Sequence, residues 1–130
     1  MSFGPSVRSI KSVLDVAAIP VGAGATVYSA SFSLRFGEYF GLAYKAASGG
    51  AIDLSIYLEQ SFQEPTTEGS ADSAWVIPAA MTTIHANLAD ANWHIASLSP
   101  FAMPYGRFKI VSAAGVANTL TLNLASQEDY

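Results

Sequence analysis

The chain has 130 residues, no cysteine, and six basic against ten acidic side chains, for a net charge of −4. That length suits one domain with a core of its own, and the lack of cysteine excludes a disulfide scaffold, a thiolate metal site and a thiol nucleophile. The acidic balance, with its basic residues scattered, excludes an electrostatic nucleic-acid footprint.

No apolar run approaches the ~18 residues of a membrane-spanning helix. Charged residues make up only 12% of the chain, about half the usual fraction. This leaves roughly one charge per 400 Å² of the surface expected at this size. So thin a coat suits a protein whose surface is largely covered by neighbours.

Along the chain, Arg8 and Lys11 precede an Ala/Val-rich stretch, but Asp15 interrupts it and Pro20 follows, which argues against a secretory signal. Residues 9–17 read as a strand, although Ile10, Val13, Leu14 and Ala17 also fit helical spacing. Pro20, Gly22 and Gly24 mark the turn after it.

Residues 26–36 alternate with period two. Tyr28, Ala30, Phe32, Leu34 and Phe36 form the apolar set, against Val27, Ser29, Ser31, Ser33 and Arg35. Phe40, Leu42, Tyr44 and Ala46 carry the same parity onward. A hairpin that keeps both apolar sets on one face needs a three-residue loop at 37–39, or a bulge at Gly37, pairing Phe36 with Phe40. Residues 47–50, ending in Gly49 and Gly50, then read as a tight hairpin turn. The strand it leads into has Ile52, Leu54, Ile56 and Leu58 opposed to Asp53, Ser55, Tyr57 and Glu59.

Residues 63–72 carry acids without the alternating ligand pattern of a calcium loop, and read as a solvated loop. Residues 74–77 form a short strand closed by Pro78, and the spacing of Met81, Ile84, His85 and Leu88 predicts one short helix. Strands follow at 93–98 and 105–111, around a bend at Pro100 and Pro104. In the second of these, Phe108 and Ile110 alternate with Arg107 and Lys109. Leu120, Leu122 and Leu124 alternate with Thr119, Thr121 and Asn123 in the last strand.

Short alternating strands at this spacing predict an all-β fold, an antiparallel β-sandwich of jelly-roll-like form with one short helix. One domain fills residues 1–130, with an N-terminal arm at 1–9 and a C-terminal tail at 125–130.

Chemistry is hard to place on this framework. His85 and His94 are nine positions apart, no usual metal spacing, and with Asp90 between them they read as surface or interface histidines. Asp53 and Glu59 share a strand face but would lie about 20 Å apart, too far for a glycosidase pair. No Gly-x-Ser-x-Gly elbow is present. The expectation is therefore no catalytic residue, no cofactor, no metal and no enzyme.

Aromatic residues remain as candidates. Phe3, Trp93, Phe101, Tyr105 and Tyr130 are the candidate interface anchors. Trp75, Trp93 and Tyr57 would be the stacking residues if the sandwich instead bound a carbohydrate or receptor.

Several stretches carry a resemblance: GAGATVYS at 22–29, EYFGL at 38–42, GAIDLSIYLEQS at 50–61, PYGRFKI at 104–110 and NTLTLNL at 118–124. Together they resemble small β-sandwich structural proteins of tailed bacteriophage virions, with their glycine-rich lead-in, paired alternating strands and closing hairpin. The resemblance implies a decoration or auxiliary protein that stabilises the capsid. Its partners would be the major capsid protein or other virion proteins, with further copies of itself, and neither nucleic acid nor membrane. Such a protein is made in the host cytoplasm and resides on the capsid surface. The alternative it leaves open is a head-fibre or tail component that binds a carbohydrate or receptor.

Overall fold

The computed structural model describes residues 8–34, 39–63, 75–76, 83–98 and 103–129, and every regular element among them is a β-strand. The strands are β1 (Arg8–Val21), β2 (Thr26–Tyr28), β3 (Phe32–Ser33), β4 (Tyr39–Ser48), β5 (Leu54–Ser61), β6 (His85–Leu88), β7 (His94–Ser97), β8 (Tyr105–Ser112) and β9 (Asn118–Asp129). One sheet has the order β1-β9-β4-β7. The other has the order β2-β8-β5-β6, with β3 also paired to β8. All pairings are antiparallel. With β2 and β3 taken as one interrupted strand, these orders are those of a jelly roll, in which the chain keeps crossing between sheets.

The alternation read from sequence supplies the core between them. Leu42, Leu54, Ile56, Leu58, Leu120, Leu122 and Leu124 are fully buried, and Phe108 and Ile110 join them.

The expected hairpins are absent. Residues 26–34 do not form one strand beside β4, because β2 and β3 pair with β8 in the opposite sheet, and Arg35, Phe36, Gly37 and Glu38 lie outside the described residues. Residues 47–50 likewise cross from β4 in one sheet to β5 in the other, and the closing hairpin is absent too, since β8 and β9 lie in opposite sheets. Two strands of equal apolar parity can bury it side by side or face to face, and here they face. Asn118 supports the crossing region: its side-chain nitrogen donates to the Ala51 carbonyl at 2.9 Å, and its oxygen accepts from the Asp53 N–H at 3.3 Å.

Within residues 26–36 the apolar set also shifts. The pairs Tyr28↔Lys109 and Phe32↔Gly106 differ in register by one residue, so the interruption is a bulge. Ser29 turns inward there, and its Oγ accepts the Phe108 N–H at 2.9 Å. Val27 therefore packs on the core beside Phe32 and Leu34, whereas Tyr28 points outward and Ala30 is exposed.

The expected helix at 81–88 is a strand over its described part. The two-residue step Leu54 to Ile56 pairs with the three-residue step Leu88 to His85. The extra residue is taken up near Asn87, whose φ is 55°. A bulge of this kind brings residues three apart onto one face and so imitates helical spacing. The boundaries of arm and tail move too. Arg8 and Ser9 already belong to β1, and residues 125–129 continue β9 between β1 and β4. In the acidic loop, residues 64–72 lie outside the described residues, as do Ala74, Ile77, Pro78 and Met81.

Candidate docking interface

The sheet β1-β9-β4-β7 has an outer face set by strand parity. Because Leu42, Tyr44 and Ala46 point into the core, Gly41, Ala43, Lys45 and Ala47 point out. Register places Ala125, Asn123, Thr121 and Thr119 beside them on β9, and Ser97 and Ile95 beside them on β7. The side chains are small, and Lys45 is the one charged group on this face among the described side chains. Ile95 is 83% exposed and Trp93 is 56% exposed. Lys45 Nζ lies 5.9 Å from the centre of the Trp93 ring, a distance compatible with a weak cation–π contact. The result is a face of mostly short side chains with two exposed apolar ones at one margin.

Behind that margin, at the rim between the sheets, four polar side chains meet. Tyr44 Oη and His85 Nδ1 share a hydrogen bond of 2.6 Å, and His94 Nε2 donates to Asp90 Oδ1 at 2.8 Å. Tyr44 stacks on His94 with centroids 5.4 Å apart, and His85 meets His94 edge-on at 4.9 Å. Residues 89–93 lead from β6 in one sheet to β7 in the other, which is how histidines nine apart in sequence come into contact.

The His94 hydrogen bond, followed by that of the Asn92 N–H, holds the Asp90 carboxyl below the usual carboxylate range. Burial, followed by the Asp90 charge, pushes the Tyr44 phenol up. Among the described residues no group of His, Cys, Asp or Glu could hold a metal ion. The cluster brings no serine, threonine or cysteine nucleophile to its histidines. What it does is tie β6 to β4 and β7, and so orient the edge strand that carries Ile95. The sequence signal was Tyr44, a polar-tipped ring within an apolar set.

The outer face of the other sheet is closed over its charged pair. Glu59 and Arg107 are directly opposite across β5 and β8, and Arg107 Nε donates to Glu59 Oε1 at 2.9 Å. Arg107 is 1% exposed. Its guanidinium carbon lies 4.0 Å from the centre of the Tyr28 ring and 4.7 Å from that of Trp75. Val76 bridges Gln60 at the edge of β5, which brings Trp75 over this face. Among the described residues Nη1 and Nη2 have no hydrogen-bond acceptor, so the two rings face much of the cation's charge.

The candidate anchors therefore separate. Trp93 stands exposed on the open face, and Tyr105 is half-buried at the start of β8. Phe3, Phe101 and Tyr130 lie outside the described residues. The stacking trio is not brought together. Trp75 is buried against Arg107, Tyr57 is half-buried on the same sheet, and Trp93 belongs to the opposite one.

Comparison with protein-family models finds no match for this chain, and comparison with curated proteins finds none either.

Proposed function

We propose that the chain is a non-enzymatic structural protein of a tailed-phage virion, a decoration protein that docks on the major capsid lattice through the outer face of β1-β9-β4-β7. The observation that carries this reading is Ile95 and Trp93 standing exposed on a face of mostly small side chains whose one charge, among those described, is Lys45. Interface cores are depleted in charge and enriched in aromatic anchors, and this face has both properties. The sequence resemblance to virion β-sandwich proteins supports the same reading. A jelly roll serves capsid and lectin domains alike, so the fold leaves both classes open.

Carbohydrate or receptor binding has less support, since Trp75 is engaged by Arg107 and Trp93 is left without the other two rings. The test is to strip particles of this protein and add back either the intact chain or the variant Trp93→Ala. Saturable rebinding of the intact chain, weakened in the variant, is the expected result. A chain that fails to rebind particles and binds a defined glycan instead would overturn it.

A further inference from the structure

The outer margin of the proposed docking face is an open strand edge. Residues 94–98 run against 40–44 in one unbroken register, from Tyr44↔His94 to Gly41↔Ser97, and the Leu98 N–H donates to the Phe40 carbonyl at 2.9 Å. In an antiparallel ladder such bonds recur at every second residue. His94, Ala96 and Leu98 therefore bond to β4, and the N–H and C=O groups of Trp93, Ile95 and Ser97 point away from it. No strand meets them among the described residues. The same three residues turn their side chains to the outer face, so the free peptide groups and the bare Ile95 belong to one strip.

The other edges are defended. In β1 the register breaks twice, between Ser12 and Leu14 and between Val16 and Ile19, and the strand includes Lys11, Asp15 and Pro20. β2 and β3 are three and two residues long, offset by their bulge. β6 is broken at Asn87, whose N–H is taken by Ser55 Oγ at 3.1 Å. Breaks, charges, proline and short strands are the devices that keep sheet edges from pairing. Residues 93–98 have no Lys, Arg, Asp, Glu, Pro or Gly, and β7 shows no register break.

We infer that β7 pairs antiparallel with β7 of a second copy about a two-fold axis, with Ile95 opposite Ile95 of that copy. This deepens the assembly reading by naming one partner at the same face, although the pairing itself requires no particle. The occupant follows from charge and symmetry. An uncharged strip with an apolar residue at its centre is complementary to itself, and outward-pointing groups at 93, 95 and 97 match their own kind only when the residue sums are even. The register centred on Ile95 joins Trp93 to Ser97 of the second copy and forms about six main-chain hydrogen bonds. The two sheets become one of order β1-β9-β4-β7-β7-β4-β9-β1, which doubles the small-residue face. So short an edge buries less than the roughly 1,000 Å² of a stable interface. The dimer is therefore weak in solution and gains strength when both copies are held on a lattice.

Sedimentation of the intact chain from micromolar to millimolar concentration tests this, and the expected result is a mass that rises from one copy to two. Ile95→Lys sets like charges directly opposite and holds the chain at one copy. Because the native chain has no cysteine, Ile95→Cys supplies a single thiol. At a hydrogen-bonded pair the Cα atoms are about 5.5 Å apart, within disulfide reach. That variant should cross-link to dimers under mild oxidation, and Val76→Cys, exposed on the other sheet, should not. A chain that stays single throughout, with both thiol variants cross-linking at the same slow rate, would overturn the pairing. Dimers that form without particle rebinding would break the capsid reading and leave the pairing intact. Rebinding by a chain that never dimerises would do the reverse.

Discussion

The two outer faces of this sandwich come from strands with the same alternation, and they end in opposite states. On β5 and β8 the outward positions hold Glu59 and Arg107, which Trp75 and Tyr28 cover. On β4 and β9 they hold Gly, Ala, Thr and Asn around a single Lys45, all of them half-buried or exposed. One face covers its paired charges, and the other, with Lys45 as its one charge among the described side chains, leaves Ile95 and Trp93 exposed. A long cation can be buried on the outside of a sheet when a carboxylate opposes it and aromatic rings sandwich it. A face of mostly short side chains has little with which to cover Ile95 and Trp93.

The largest effect should come from the closed face. Arg107→Met leaves the Glu59 carboxylate buried without its partner, which costs about 3–5 kcal/mol. Urea denaturation would measure it, and Glu59→Leu added to Arg107→Met should recover most of the loss. If the single variant kept full stability, the closed face would be no different from the open one.

One residue away on β8, the inward side gives a smaller effect. A Cβ at Gly106 would come within 2.7 Å of Phe32 Cε2. Gly106→Ala should thus cost about 1–3 kcal/mol by overpacking, with partial recovery when combined with Phe32→Leu.

The rim cluster beneath the open face comes next. Tyr44→Phe removes the hydrogen bond to His85 and should cost about 1 kcal/mol. Because folding raises the Tyr44 pKa, its contribution is complete below the unfolded tyrosine value and fades as pH rises through the folded one. Thermal melts of the native chain should therefore weaken above about pH 10, with a shallower decline in Tyr44→Phe. Asp90 has the opposite sign. Its lowered pKa gives stability above the unfolded carboxylate value that disappears as pH falls through the folded one, and Asp90→Asn should flatten that acid limb.

The open face itself should give the smallest change in folding. Ile95→Lys and Trp93→Ala should each alter the unfolding free energy by less than about 0.5 kcal/mol, although both remove apolar surface proposed for association. A large loss of stability in either would mean that the face serves the fold of the single chain.

The alternation in residues 52–58 and 118–124 determined by itself that these segments are strands, and that Leu54, Ile56, Leu58, Leu120, Leu122 and Leu124 line the core. Period two is a local property of extended backbone, so it can be read without knowing the partner strand. Tertiary structure decided which sheet each strand joined, because equal parity is satisfied by a strand alongside or by one across the core. Bulges near Ala30 and Asn87 reversed the reading of Tyr28 and produced the false helix, since one inserted residue shifts every later side chain to the other face. The contacts of Arg107 with Glu59 and Trp75, and of His85 with His94, were likewise invisible in the chain. Strand pairing within one sheet sets Arg107 against Glu59, and the passage of the chain from one sheet to the other sets His85 against His94.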